Sequence, residues 1–261
     1  MTTTFPPHAD GSRCWTHDCS LRHGSNLQTA IKNNDSSGYL KAREAADQKA
    51  KTSSAQTVTY PMLEYGSTNY KLFMEKSEEL MYQLDGKESK AVMEYTGWSY
   101  QQYYEYLEDS NNQNMTDELK QSLSEGTGHL DSVIKKAGKL DKHVTAFRGE
   151  KVPQGTSIES HLAAKFPVGQ DVNVKRYMST SMDSKVASDI LGDSDTSSSY
   201  VLAIKTKEGA MLGEYLSEQG LREKEILLPR DRTYRVESIT SAVISWGVSK
   251  KRHTVVNLTL L

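Results

Sequence analysis

The sequence is short of cysteine, of long apolar runs and of net charge, and each shortage excludes a class of protein. Two cysteines in 261 residues rule out a multi-bridge disulfide framework. No run approaches the roughly 18 consecutive apolar residues that a membrane-spanning helix needs. The first residues, MTTTFPP, carry no basic stretch followed by an apolar one, so a cleavable secretory signal is not expected; export by a route that reads no such signal stays open. A formal charge of −2, with no concentrated basic face, argues against a nucleic-acid-coating protein. Apolar content of 36% and a mean hydropathy of −0.65 are low but still compatible with a packed core. The length suits one large domain, or one domain with an appendage.

What is present is unevenly distributed. Residues 59–130 carry 5 Lys/Arg and 13 Asp/Glu, whereas residues 131–261 carry 20 and 16. The mildly basic second part is suited to a small polyanionic ligand. Residues 1–58 are rich in Ser, Thr, Asn, Lys and Ala and read as a weakly structured leader, too poor in large apolar side chains to offset chain entropy. A transient helix is conceivable from Tyr39 to about Lys51. The leader holds Cys14 and Cys19, close to His17 and His23 in "CWTHDCSLRH". A local disulfide or a zinc site is conceivable there, but the spacing matches no strong zinc pattern, and free thiols in a tail with no metal are the reading taken.

Residues 59–261 form the folded domain. Its first part, 59–140, has helical periodicity in "STNYKLFMEKSEELMYQL", "SKAVMEYTG" closed by Gly97, "WSYQQYYEYLED", and "TDELKQSLSEG" with Thr116 as N-cap, followed by "GHLDSVIKKAGKL". From 141 the period becomes two, in "HVTAFRG", "VNVKRYMSTS", "SYVLAIKT", "KEILLPR", "TYRVESI", "SAVISWG" and "HTVVNLTLL". Helices first and strands later, with no internal repeat, predict an α+β domain: a helical layer on an antiparallel, sandwich-like sheet core.

Three short motifs sit on three of these strands: Arg148-Gly149, Ser179-Thr180-Ser181, and Glu223-Lys224-Glu225. Each alone reads as an ordinary solvated strand end, turn or strand face. On a strand, Glu223 and Glu225 share one face, and two like charges there are costly unless something solvates them.

In this order and at these separations, the motifs resemble the arginine-serine-glutamate class of mono-ADP-ribosyltransferases, the bacterial toxin and effector exoenzymes, over roughly residues 80–261. "EYTGWSYQQYYEYL" resembles that family's helix lying across the nucleotide, "AFRG" its Arg-Gly strand, "YMSTSMD" its Ser-Thr-Ser strand, and "LREKEILLPRDRTYRV" its Glu-x-Glu strand. The resemblance implies an NAD-dependent transferase that moves ADP-ribose from NAD to a protein side chain and releases nicotinamide, without a metal. It implies that Glu225 stabilises the ribose cation, and that Glu223 faces the acceptor, which a glutamate at that position makes arginine. It implies that Arg148 binds the pyrophosphate or the nicotinamide ribose, that the Gly149 backbone approaches the nicotinamide amide, and that Ser179 fixes Glu225. Tyr95 and Tyr100 are candidates for the adenosine side, although aromatics at helical spacing are also ordinary core. Tyr215, in "GEYLSEQGLR", is the candidate contact to the protein acceptor. Two positions depart from the pattern: Tyr104 stands where the family has an asparagine, and "MDSKVASDILGDSD" offers Lys185 but no arginine for the phosphates.

The competing readings are an inactive binding or structural module on the same scaffold, and an NAD glycohydrolase with water as acceptor. The partners expected are NAD and a protein acceptor, with no nucleic acid and no membrane span, and the protein is expected to be a monomer. Its place is outside the producing cell, in a target cell or on a virion, as a toxin, an injected effector or a phage-carried enzyme; otherwise it is cytoplasmic.

Overall fold

The computed structural model describes residues 58–261 apart from 61, 98, 193–197, 214–215, 217–222 and 247–248. The chain divides into two units, 1–56 and 57–261, and the fold described is that of the second. The leader, with Cys14, Cys19 and the conceivable helix from Tyr39, lies outside the described residues, as does Tyr215.

A short strand, β1 (Val58–Tyr60), precedes four helices: α1 (Thr68–Met81), α2 (Gly86–Thr96), α3 (Tyr100–Glu108) and α4 (Asp117–Ala137). Their starts follow from local chemistry. Ser67 and Thr116 cap α1 and α4 through their hydroxyls, and Asp85 with Glu88 forms a capping box at α2. The same Glu88 carboxylate accepts from Ser132 Oγ at 2.7 Å and from Lys136 Nζ at 2.6 Å, so one buried acid ties α2 to α4. Gly97 ends α2 with φ −91°, not in the left-handed form common at glycine caps. The two segments expected around Gly126 and Gly128 are one continuous helix. Glycine at 126 lets α3 close on α4, since a Cβ there would lie 2.0 Å from the Tyr103 hydroxyl.

After α4 come β2 (Lys139–Lys151), α5 (Ile158–Lys165), β3 (Asp171–Val174), β4 (Met178–Ser181), α6 (Ser184–Leu191), β5 (Ser199–Glu208), β6 (Ala210–Leu212), β7 (Glu225–Leu228), β8 (Arg232–Trp246) and β9 (Ser249–Leu260). The strands form one sheet in the order β1-β8-β9-β5-β2-β4-β7-β6, with β3 on β8. The pairings are antiparallel except β5 with β9 and β1 with β8, which are parallel. "VNVKRYMSTS" is two strands rather than one: β3 pairs β8, and β4 pairs β2 and β7. "TYRVESI" and "SAVISWG" are one long strand with an irregular register between Val236 and Ser238.

Alternation along the strands fills three cores. Val144 and Ala146 of β2, Leu202 and Ile204 of β5, Met178 of β4, and Ile226 and Leu228 of β7 meet in a central one, closed by Ile158 and Leu162 of α5. Both halves of the sheet thus contribute to a single interior, which makes the sheet sandwich-like. Leu227, Ala210 and Leu212 instead face the four-helix layer, with Val92, Tyr95, Tyr103, Leu130 and Val133. Phe147, Val201 and Ala203 face α6.

Beneath α6, His253 of β9 is buried, its Nε2 2.9 Å from Ser188 Oγ, and its Nδ1 meets no partner among the described residues. Burial, with Lys251 adding to it, drives this imidazole down to about 4. Below the ordinary histidine value of about 6.5, the unfolded chain binds a proton that the fold does not. The stabilisation is therefore complete above about pH 6.5 and is lost as pH falls toward about 4, by about 3 kcal/mol in all. His253→Asn is expected to flatten the pH dependence of the urea midpoint within that window relative to the wild type. An unchanged slope would show that His253 titrates normally.

Candidate active site

Arg148 lies near the end of β2, Ser179 in β4, and Glu225 opens β7, so the three motifs stand on neighbouring strands. β2 and β4 share a single ladder pair, Phe147 with Ser181. Continued beyond it, an antiparallel ladder would set Gly149 against Ser179. Instead, the Ser179 carbonyl accepts a hydrogen bond from Arg148 Nη1 at 2.7 Å. Arg148 Nε donates to Glu150 Oε1 at 2.6 Å, and the guanidinium lies 5.9 Å from the Tyr104 ring centre. Burial works against the charge on Arg148, but Tyr104 and Glu150 outweigh it and hold its pKa above the ordinary value. Glu150 is held below its ordinary value because Arg148 overcomes the effect of burial.

Gly149 has a packing reason of its own. A Cβ there would stand 2.5 Å from the Ala187 carbonyl oxygen and 2.9 Å from Leu191 Cγ, so α6 can press on β2 only over glycine.

β4 and β7 pair over four residues, with Ser181 opposite Glu225 and Ser179 opposite Leu227. Ser179, Ser181, Glu225 and Leu227 therefore share one face, and Ser179 is diagonal to Glu225. Glu225 is buried, at 3% exposure. Thr180 Oγ1 donates to the Ile226 carbonyl at 2.6 Å and Ser181 Oγ to the Glu223 carbonyl at 2.5 Å, so both hydroxyls bind β4 to the chain around Glu225.

The Glu-x-Glu motif is not a strand throughout. β7 begins at Glu225, and Lys224 has φ 46°, in the left-handed region. Glu223 and Glu225 are thus not successive same-face residues of one strand: a turn separates them, which relieves the direct like-charge pairing that alternation implied. Glu223 is half-buried, and burial raises its carboxyl.

The aromatic expectations divide. Tyr95 is fully buried in the helical core, edge-to-face with Tyr103 at 5.4 Å and Tyr177 at 5.6 Å. Its ring offers no surface to an adenosine, so that expectation is corrected. The helical spacing that suggested it marks the inward face of α2. Tyr100, at the start of α3, is 41% exposed and packs on Tyr104 at 5.7 Å.

Lys185 is ion-paired with Asp189 one turn further along α6. The cations gathered about Arg148 are others. Arg176 Nη2 lies 3.4 Å from Glu150 Oε1, with its guanidinium 4.6 Å from the Tyr104 ring centre. Lys165 is lowered by burial and by the nearby charges of Arg176 and Arg148, although Glu150 and, more weakly, Glu108 oppose this. Arg148, Arg176 and Lys165 thus crowd one carboxylate, Glu150, and leave an excess of positive charge beside the Ser179 strand. Arg176 stands three residues before Ser179 in a stretch that reads as a single strand, where a lone charge reads as solvated surface. Among the described residues, no group of three His, Cys, Asp or Glu side chains could hold a metal.

Solved structures with this fold include ADP-ribosylating toxins. Plx2a, an ADP-ribosyltransferase toxin from Paenibacillus larvae, is 19% identical over 73% of this chain and 94% of its own, with a TM-score of 0.55. The enzymatic component C2-I of the C2 toxin from Clostridium botulinum is 17% identical over 75% of this chain, with a TM-score of 0.55. BECa, an ADP-ribosylating toxin of a binary enterotoxin of C. perfringens solved with NADH, is 18% identical over 77%, with a TM-score of 0.54. The chain spans about half the length of the last two, 48% and 50%. No curated protein matches the sequence. Residues 69–261 match the family model described as ADP-ribosyltransferase exoenzyme, and the chain belongs to that family.

Proposed function

We propose that the protein cleaves the nicotinamide–ribose bond of NAD and transfers ADP-ribose to an arginine side chain of a protein acceptor. The observation that carries this is Arg148 bonded to the Ser179 carbonyl, on a strand that lies between the Arg148 strand and the one that Glu225 opens. When the glycosidic bond breaks, its electron pair leaves with nicotinamide and the ribose acquires oxocarbenium character. A buried carboxylate at Glu225 stabilises that cation without having to reorganise. Glu223, whose carboxyl burial raises, takes the guanidinium proton as the new C–N bond forms. Arg148, with Arg176 and Lys165, supplies the positive charge for the diphosphate. The Gly149 backbone and Tyr100 are left as contacts to the nicotinamide and adenosine ends. BECa was solved with NADH, which supports a dinucleotide as donor. The site of action proposed is outside the producing cell or inside a target cell, in keeping with the toxins of this fold.

Glu223→Gln separates the two halves of the reaction. Nicotinamide release with water as acceptor is expected to stay within a few-fold of wild type, while transfer to agmatine falls about a hundredfold, the range typical of a lost general base. Equal loss of both would contradict the division of roles. Nicotinamide release by the wild type with no labelled agmatine or protein would instead identify a glycohydrolase.

A further inference from the structure

The residue between the two glutamates has its own fixed place. Lys224 and Asp231 are the non-glycine residues with positive φ among the described residues, and such backbone is held only where its surroundings enforce it. Around Lys224 the enforcing contacts are explicit. Its Nζ lies 2.6 Å from Asp183 Oδ2 and 3.4 Å from the Leu63 carbonyl oxygen. Its own carbonyl accepts from Met182 N at 3.1 Å. The preceding carbonyl, of Glu223, accepts from Ser181 Oγ, which in turn accepts from Asp183 N at 2.9 Å. The Asp183 side chain is 3% exposed, and its other oxygen accepts from Lys185 N at 3.0 Å, capping α6.

We infer that the Asp183–Lys224 ion pair is a positioning device that sets Glu223 relative to Glu225. This rests on the reading that Glu223 serves the acceptor and Glu225 the ribose. The β4/β7 ladder, through Ser181 opposite Glu225, holds Glu225 without help from the pair. Glu223 lies outside that ladder, on the far side of the left-handed residue. A buried acid with its cation removed is strongly unfavourable, so the turn rearranges when Lys224 loses its charge. Glu223 moves with it, and Glu225 does not. The pair therefore governs how much cleaved ADP-ribose reaches the acceptor, a second layer of support beneath a reacting group.

The test uses the full chain and measures nicotinamide release and agmatine modification side by side, with the thermal midpoint as a check on folding. Lys224→Met keeps the aliphatic stem and removes the charge. Asp183→Asn removes the charge and keeps a good helix cap, since asparagine caps as well as aspartate. Each is expected to lower the ratio of transfer to cleavage about tenfold or more, the scale set by small misplacements of reacting groups. The double variant is expected to be no worse than either single one, because both remove the same interaction. Lys224→Arg restores the ratio. An unchanged ratio in both single variants, while the wild type performs both reactions, overturns the inference and leaves the proposed function standing. So does a parallel fall of both activities that tracks the thermal midpoint. A wild type that leaves NAD intact overturns the proposed function, and this inference with it.

Discussion

Glu225→Gln is expected to lower nicotinamide release from NAD by about a thousandfold, or about 4 kcal/mol, while the protein stays folded. The size follows from where the carboxylate is. Glu225 is 3% exposed and stands on the face it shares with Ser179, Ser181 and Leu227. A charge in that setting is poorly screened by water, so its attraction for a developing cation is far larger than at the surface. Loss of one such preorganised electrostatic group costs about a hundredfold to a thousandfold in comparable sites. Glutamine has the same length and shape, and the ladder pair with Ser181 is made by the backbone, so the strand is expected to survive. The check is nicotinamide release by the purified variant, with the thermal midpoint beside it. Activity within tenfold of wild type in a folded variant would remove Glu225 from the chemistry.

Arg148→Lys is expected to lower kcat/KM for NAD by about a hundredfold. Arg148 uses two nitrogens for two partners on different strands, Nε for Glu150 at 2.6 Å and Nη1 for the Ser179 carbonyl at 2.7 Å. A lysine ammonium is a single point at the end of a flexible stem and cannot serve both in the same geometry. The break between β2 and β4 then loses the bond that bridges it, and Glu150 is left with Arg176, at 3.4 Å, and the weaker influence of Lys165. Hydrogen bonds to charged groups contribute roughly 1.5–3 kcal/mol each, which brackets the effect. Most of the loss should appear in KM, because the role proposed for Arg148 and its neighbouring cations is to bind the dinucleotide's diphosphate. Steady-state kinetics at fixed ionic strength would show this. A loss confined to kcat would mean that Arg148 acts at the ribose instead.

The strands that carry Arg148, Ser179 and Glu225 were legible from their β-type composition, whereas the three residues stood out only through the family resemblance of their motifs. The sandwich-like core was legible from the same strand pattern. Which strands pair was not, since β5 meets β9 in parallel across some fifty residues of intervening chain, and periodicity carries no information about partners. Lys175–Tyr177 interrupt what reads as one strand, and only the separate pairing of β3 with β8 and of β4 with β7 reveals the break. Tyr95 shows a second limit: helical spacing identifies a face but not whether protein or ligand covers it. The left-handed Lys224 shows a third. A lysine between two glutamates has no local preference for positive φ, and the contacts that hold it come from Ser181, Met182 and Asp183, some forty residues earlier. Arg176 and Lys165 carry no local signal in the sequence, because charge clusters are assembled in space, here from α5, β2 and the lead-in to β4.

The most direct test is whether this protein breaks the glycosidic bond of a dinucleotide. Purified protein incubated with NAD and agmatine, followed by mass spectrometry, reads this directly. The expected products are free nicotinamide and agmatine heavier by one ADP-ribosyl group. NAD recovered intact, with agmatine unmodified, would contradict it.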